Sequence, residues 1–241
     1  MDSFEDQGII LNVRSHGESG AVVSLMTEGQ GRCTGYVRGA KSSKMRGVLE
    51  LGNIVDARWQ SRVSDGLGSY NFELSKSYAA LFMQDPLKLA ALQSACALVE
   101  AALPEREVHA GLFHGLDALF QTLETDIWSA AYVMWEIALL KELGFSLDLT
   151  QCAGGGAGPL IYVSPKTGCA VSEAAGAPYK GKLLNLPGFL VGESGFEGAC
   201  IHDGLKMTGY FLEHWVFNHH SRGVPDARLL FAERFAKTFD I

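Results

Sequence analysis

The side chains with the clearest chemical potential in the first third of the chain are cations. Seven Lys and Arg residues lie between positions 30 and 62, against only two carboxylates, Glu50 and Asp56. Clustered cations are the residue type that contacts nucleic-acid phosphates, because each contact releases condensed counterions. Local charge decides where a polyanion binds, so the net charge of −7 does not exclude such a site. The seven cations are Arg32, Arg38, Lys41, Lys44, Arg46, Arg58 and Arg62. The competing interpretation is a basic loop that is merely solvated.

The chain contains no residue pattern typical of a catalytic centre. The glycine-rich run 154–158 lacks the Lys-Ser/Thr ending of a phosphate-binding loop. The Gly-x-Ser-x-Gly, His-Glu-x-x-His and kinase patterns are also missing. Glu50 and Asp56 are a weak candidate pair for a metal-dependent nuclease. We therefore predict a protein that is not an enzyme and has no catalytic residues.

Two cysteines, Cys152 and Cys169, bracket a loop, a short strand and a turn, as the cysteines of a zinc ribbon do. A zinc ribbon needs four ligands from two Cys-x-x-Cys pairs, and here each pair has only its first cysteine. A further group fits no usual ligand spacing, namely Cys200, His202, His214, His219 and His220. The sequence therefore predicts no metal ligands and no cofactor.

The elements that would position the cations are short strands. Runs 8–14, 21–27 and 32–38 are separated by glycine-rich turns, and residues 55–62 and 70–75 alternate between apolar and polar. Five short strands in about 75 residues, with a basic loop after the third, indicate a small closed barrel. The five-stranded OB-fold is the favoured architecture, and an SH3-like barrel stays open on pattern alone.

After residue 80 the pattern becomes helical. Asp85 followed by Pro86 predicts the start of a helix that ends near Leu103. Further helices are predicted over 108–123, 128–143 with Gly144 as its cap, 203–219 and after Pro225. We expect the helix over 128–143, which is apolar nearly all round, to be the buried centre of a bundle. Residues 150–182 predict loops around one strand, Ile161–Val163.

The composition is that of an ordinary globular protein, with 47% hydrophobic and 20% charged residues. No apolar run is long enough to span a bilayer, and the N-terminus is acidic rather than signal-like. Five scattered cysteines do not indicate a disulfide framework. We expect a cytoplasmic protein without membrane association.

The order of several short segments resembles the RecO family of DNA-repair proteins over nearly the whole chain. No single segment is very specific, but their co-linear order is. The segments are Gly8–Leu11, Gly17–Ser19, Gly35–Lys41, Arg46–Leu49, Glu142–Phe145, Leu147–Leu149, Cys152–Ala153, Tyr162–Gly168 and the late helix.

The resemblance implies a multidomain α+β protein. It would have an OB-fold domain at 1–80, a helical domain at 81–150, a zinc-ribbon-like insertion at 151–182, and C-terminal helices at 183–241. It also implies a recombination mediator that binds single- and double-stranded DNA, anneals complementary strands and helps to load the RecA recombinase. The implied protein partners are RecR and single-stranded-DNA-binding protein. Many members carry four ribbon cysteines, whereas this chain has Gly155 and Ser172 at two of the places, so hydrogen bonding and packing must hold the ribbon.

Site residues follow from combining the cations with the resemblance. The predicted DNA-binding residues are Arg38, Lys41, Lys44, Arg46, Arg58 and Arg62. Tyr36 and Tyr70 are either stacking residues or, more commonly for strand aromatics, core residues. An alternative is a protein-only adaptor whose barrel does not touch DNA.

The acidic, apolar-ended tail of single-stranded-DNA-binding protein would need an apolar groove and a local cation for its terminal carboxylate. Residues 81–150 contain only three cations against ten carboxylates, so the choice is narrow. The candidates are Lys88, Arg106 and Lys141, with Lys206 from the late helix, and Arg106 is the first choice.

Overall fold

The structure is a computed structural model that describes residues 2–63, 66–193 and 195–241. The chain forms two compact units. The first unit consists of Met1–Phe120 and Pro225–Arg228, and the second of Gln121–Val224 and Leu229–Ile241.

The first unit contains a closed five-stranded barrel that is OB-like. Its strands pair in the order β1-β2-β3-β5-β4, and β4 pairs back onto β1. All neighbours are antiparallel except β3 and β5, which meet in parallel at Tyr36 and Ser69. The strands are β1 (Asp2–His16), β2 (Gly20–Thr27), β3 (Gly31–Val37), β4 (Ile54–Ser61) and β5 (Ser69–Lys76). The five strands predicted from the sequence are confirmed, although β1 begins several residues earlier.

Buried and exposed residues alternate along the strands, and the buried side chains fill the interior of the barrel. On β4, Val55, Ala57 and Trp59 are buried, while the residues between them are exposed. Trp59 stacks on Phe4 with ring centroids 5.3 Å apart. Gly35 leaves room for this packing, because a Cβ there would lie 2.5 Å from the Tyr70 ring and 3.0 Å from Trp59. The interior therefore requires glycine at one position of β3.

A short helix closes the barrel between β3 and β4. This helix, α1 (Ser43–Val48), lies within the segment that the sequence predicted to be a loop. Its cap is Ser42, whose hydroxyl accepts from the Met45 backbone N–H at 3.3 Å. Met45 and Val48 pack against the barrel core. The loop prediction was wrong because a six-residue helix containing Gly47 has too little periodic signal.

The outer side of β1 and β2 is covered by helix α3 (Pro86–Ala102), and Ile9, Leu11 and Met26 are buried there. The neighbouring helices are α2 (Tyr78–Phe82), which packs against α3, and α4 (Ala110–Thr122), whose last two residues lie in the second unit. The predicted cap of α3 is confirmed, since the Asp85 carboxylate accepts from the backbone N–H of Leu87 and Lys88.

The second unit combines helices with a small three-stranded sheet, in the order β7-β6-β8. Its helix α5 packs against α7. Its elements are α5 (Trp128–Glu142), β6 (Leu160–Val163), β7 (Ala170–Ser172), α6 (Glu173–Gly176), β8 (Leu184–Asn185), α7 (Gly198–Phe211) and α8 (Asp226–Thr238), whose first turn lies in the other unit.

The helix α5 differs from the expectation that it would be buried on all sides, because Met134 is 56% exposed. Its buried side includes the Glu136 carboxylate, which accepts from the Thr208 hydroxyl at 2.5 Å. The predicted cap after α5 is confirmed, since Gly144 has φ 88°. Helix α7 begins at Gly198, whereas the sequence predicted a start at residue 203. The reason is that its N-cap residue makes no side-chain hydrogen bond to the first turn, so the sequence holds no capping signal there.

None of the helices in the described ranges is both long and apolar enough to span a membrane.

The packing around Gly35 leads to a stability prediction. Gly35→Ala should lower the free energy of unfolding by about 1–3 kcal/mol, because the new methyl group overpacks Tyr70 and Trp59. Gly47→Ala is the matched control: nothing lies near a Cβ there, so it should be neutral or stabilise α1 by up to about 1 kcal/mol. Urea unfolding of both variants measures the difference. Equal stability of Gly35→Ala and the wild type would contradict this account of the core.

Candidate nucleic-acid interface

Four of the predicted cations lie together between β3 and β4, two before α1 and two within it. We call residues 38–46 the basic segment. Arg38, Lys41, Lys44 and Arg46 are all exposed. The segment is fixed to the β1–β2 turn, because the Lys41 backbone N–H donates to the Ser19 carbonyl at 3.3 Å. The Lys41 ammonium also donates to the carbonyl of Gly17 at 3.3 Å.

The packing of α1 explains why these cations face solvent. Met45 and Val48 point into the barrel end, so Lys44 and Arg46 stay on the outer side. Among the described residues, none of the four cations makes an ion pair with a carboxylate. Glu50 is the one carboxylate within residues 38–50, and it is exposed. The segment thus presents positive charge that the first unit does not neutralise.

The two candidate stacking residues have different surroundings. Tyr70 is 3% exposed and belongs to the barrel core, where burial raises its pKa. Tyr36 is half-buried on the outer side of β3, two residues before Arg38. Its ring lies over Gly20, where a Cβ would clash with the tyrosine hydroxyl. The His16 ring is 6.0 Å away, edge-on. Tyr36 is therefore the aromatic residue beside the basic segment.

Arg58 and Arg62 do not join the basic segment. Arg58 lies on the outer side of β4, and its Nε is 3.0 Å from the Glu5 carboxylate. Two further carboxylates lie two residues away along the paired strands, Asp56 on β4 and Glu73 opposite it on β5. Arg62 is exposed directly after β4 ends. The structure thus surrounds Arg58 with carboxylates, and its predicted DNA contact has less support than that of the basic segment.

Another part of the barrel surface is occupied by the chain itself. The free edge of β3 pairs with residues after α3, since the Arg106 backbone N–H donates to the Arg32 carbonyl at 2.8 Å. The Arg32 guanidinium donates to the Leu103 carbonyl at 2.9 Å and pairs with Glu105 at 3.3 Å. A nucleic-acid strand cannot use this edge while these contacts hold. These contacts leave the basic segment open as an exposed positive surface of the barrel.

The four predicted partner-binding cations are dispersed. Arg106 has φ 61°, and its guanidinium lies over the Trp59 ring at 4.7 Å, so it packs against the barrel. Lys88 is half-buried in the first turn of α3. Lys141 is exposed in the last turn of α5, and Lys206 is exposed on α7. Two of the four belong to each compact unit.

Two of the four residues at the expected ribbon-ligand places, Cys152 and Ser172, are hydrogen-bonded to each other. The Ser172 backbone N–H donates to the Cys152 sulfur at 3.2 Å, and the two side chains are 3.4 Å apart. These bonds from Ser172 are the main cause that lowers the pKa of Cys152 to about 7. Cys169 Sγ instead contacts the Thr167 carbonyl at 3.6 Å. Gly155 offers no side-chain ligand.

These residues do not fit a zinc ion. Zinc in a structural site takes four thiolate or imidazole ligands. Among the described residues, no group of three or more His, Cys, Asp or Glu side chains is arranged to hold a metal.

The contact between Cys152 and Ser172 leads to a prediction on metal content. The purified protein should contain well under one zinc per chain, because two of the four ligand places carry Gly155 and Ser172. A chelator should leave the melting temperature unchanged. Elemental analysis and thermal unfolding with and without chelator measure both quantities. One tightly held zinc per chain would contradict the prediction.

Comparisons with known proteins cover nearly the whole chain. The family model described as Recombination protein O N terminal matches residues 1–78. The model described as Recombination protein O C terminal matches residues 83–222.

Curated relatives give the same result. A protein of Rhodospirillum centenum named DNA repair protein RecO is 49% identical, over 97% of this chain and 95% of the relative. Proteins of the same name from Caulobacter vibrioides and Rhodospirillum rubrum are 46% and 43% identical, with coverage of 97% and 98% of this chain and 98% of each relative. At this identity and coverage, the chain belongs to the RecO family of DNA-repair proteins.

Proposed function

We propose that this chain is a recombination mediator that binds single- and double-stranded DNA through the basic segment. The observation that carries the proposal is a group of four exposed cations at the end of an OB-like barrel, which make no ion pair with any carboxylate in the part of the chain that the structure describes. Proteins that bind single strands combine such a positive surface with aromatic stacking residues. Tyr36 is the aromatic residue in position to stack a base next to the segment.

Annealing of complementary strands is the reaction that this surface can promote. Two DNA strands repel each other, and a cationic surface that binds both lowers that repulsion without making or breaking covalent bonds. Since this role needs no catalytic group, it is consistent with a chain whose sequence lacks catalytic motifs. We include RecR, single-stranded-DNA-binding protein and the loading of RecA in the proposal, because the family is one of DNA repair and recombination.

The competing function is a protein-only adaptor in which the basic segment is merely solvated. The dependence of binding on salt distinguishes the two functions, because phosphate contacts release counterions in proportion to their number. An adaptor would show no binding to oligonucleotides at moderate salt. The nuclease alternative requires cleavage in the presence of a divalent metal, which an assay with labelled DNA tests directly.

Replacing Lys41, Lys44 and Arg46 together by Ala should weaken binding to single strands and flatten its salt dependence. Each lost phosphate contact removes about 0.7 from the log–log slope, so the slope should fall by about 2. Fluorescence anisotropy with a labelled oligonucleotide at several salt concentrations measures this change.

The matched control removes three exposed cations of the second unit, Lys180, Lys182 and Arg222. It lowers the net charge equally but should leave the slope unchanged. A slope that falls only in this control would place the DNA site in the second unit. Circular dichroism of both variants confirms that the fold persists.

A labelled peptide with the acidic, apolar-ended chemistry of the tail of single-stranded-DNA-binding protein should bind through one of the four predicted cations. Single Ala variants of Lys88, Arg106, Lys141 and Lys206 should therefore include one that weakens binding by a few-fold, or about 1 kcal/mol. Arg106→Ala has a second expected effect, loss of stability, since Arg106 packs on Trp59. Unchanged binding in all four variants would place the carboxylate-binding cation elsewhere.

A further inference from the structure

The outer side of β1, β2 and β3 carries a row of three paired residues beside the basic segment. Arg14 on β1 lies opposite Val22 on β2, and Val22 lies opposite Tyr36 on β3. Their neighbours Val23 and Val37 pack in the barrel core, so the row itself points outward. Arg14 is exposed, and the other two residues of the row are half-buried. We call Arg14, Val22 and Tyr36 the outer row.

A glycine on β2 makes room for the Tyr36 ring. The ring lies over Gly20, where a Cβ would clash with its hydroxyl and with two ring carbons. The His16 ring is edge-on to it, with centroids 6.0 Å apart. Gly20 pairs with His16 and lies two residues before Val22, so it shares the outer side of the sheet. The position of the ring therefore requires glycine at residue 20, and the half-buried ring keeps part of its surface open to solvent.

The outer row adjoins the basic segment through the β1–β2 turn, which directly precedes Gly20. Two carbonyls of this turn accept from the side chain and from the backbone N–H of Lys41, each at 3.3 Å. Along β2 the order is therefore Lys41 at the turn, then the Tyr36 ring, then Arg14. An aromatic ring thus lies between two exposed cations along one strand.

Arg14 is held in the outer row by a contact to α3. Its guanidinium donates to the Glu100 carboxylate at 3.2 Å, and both oxygens of this carboxylate accept from the Asn12 amide at 2.7 Å. The Arg14 side chain nevertheless remains 66% exposed. The ion pair of Arg58 with Glu5 lies beside two further carboxylates, whereas the neighbours of Arg14 in the outer row are an aliphatic and an aromatic side chain. An anion therefore meets less repulsion at Arg14 than at Arg58.

This arrangement has the chemistry to recognise an unpaired base together with its phosphates. Bases of a single strand stack on aromatic rings while cations contact the phosphates. In a duplex each base is paired and stacked between its neighbours, so a ring on the protein surface reaches a base only if that base is extracted at a cost in free energy. We propose that the outer row is a subsite specific for single strands, in which Tyr36 stacks a base and Arg14 contacts a phosphate.

The subsite rests on the proposed function, in which the basic segment binds single and double strands through their phosphates. Phosphate contacts carry no information on whether a base is paired, whereas stacking requires a free base. The outer row thus adds a preference for unpaired DNA to the basic segment. Pairing of a bound strand withdraws its base from Tyr36, so the annealed product is held less tightly than the strands from which it forms.

Substitution of the ring gives the first test. Tyr36→Leu removes the ring but keeps an apolar side chain, and it should weaken binding to a single-stranded oligonucleotide by about ten-fold. Binding to a duplex of the same sequence should be unchanged, and Tyr36→Phe should preserve both affinities. Fluorescence anisotropy with the full-length protein measures all of them.

Displacement of the ring gives a second test that leaves Tyr36 in the sequence. Gly20→Ala should reproduce the effect of Tyr36→Leu on single strands and spare the duplex, because the new methyl group occupies the space of the ring. Gly111→Ala on α4 is the matched control, since nothing lies near a Cβ there, and it should leave both affinities unchanged. Circular dichroism of each variant confirms that the fold persists.

A strand without bases separates stacking from structural damage. An abasic oligonucleotide of the same length carries the same phosphates, so wild type and Tyr36→Leu should bind it equally. A variant that weakens binding because its barrel is disturbed would lose affinity for the abasic strand and for the duplex as well.

The phosphate contact of Arg14 has its own measurement. Arg14→Ala should lower the log–log salt slope for single strands by about 0.7, the value of one phosphate contact. Arg58→Ala is the matched control and should leave the slope unchanged, because both arginines are exposed and each forms an ion pair with a carboxylate.

The proposal is overturned if Tyr36→Leu weakens binding to single strand, abasic strand and duplex alike, if Gly20→Ala keeps the wild-type affinities, or if Arg14→Ala leaves the slope unchanged. The variant that lacks Lys41, Lys44 and Arg46 separates this proposal from the proposed function. If that variant loses affinity for both forms of DNA while Tyr36→Leu changes neither, only the subsite is wrong. If the wild type binds neither form, the DNA-binding proposal fails and the subsite fails with it.

Discussion

A closed barrel must cover the ends of its core with side chains that its strands do not supply, and this constraint organises the first unit. At one end α1 supplies Met45 and Val48, which pack against the core. Near Trp59 the cover comes from Arg106, whose guanidinium lies over the indole ring. Because α1 has only six residues, turning its apolar side inward leaves its cations on the outside. The position of the positive surface is thus a consequence of closing the barrel.

The same barrel separates charges by face. On β4, Asp56 and Arg58 alternate with the core residues and therefore point outward. The neighbouring strands β1 and β5 add Glu5 and Glu73 to the same face. The pairing register fixes which side chains share a face, because a shift by one residue would turn the whole set inward. The edge of β3 is meanwhile paired with residues around Glu105. A net acidic chain can therefore present one positive surface without neutralising it.

Much of the fold could be predicted from the sequence, because periodicity and capping are local signals. The five strands, the Asp85 cap and the cap at Gly144 follow from patterns of a few residues. The basic segment was also visible as charge, but its helix was not, because α1 owes its conformation to contacts with the barrel. Sequence could not separate Arg58 from the basic segment, since its partner Glu5 lies 53 positions away and is brought close only by the β1–β4 pairing. The role of Arg106 against Trp59 was missed for the same reason.

The shortness of α1 has a consequence for how the barrel meets its ligands. Helices of six residues are not stable alone in water, so the helical state of α1 is maintained by the burial of two side chains. Local opening of α1 should therefore require much less free energy than unfolding of the barrel. A ligand that draws the cations into a different arrangement could then reshape the segment while the strands stay in place. Under the proposed function, the same barrel end would accommodate single and double strands, whose phosphates differ in spacing, by changing the conformation of one short helix.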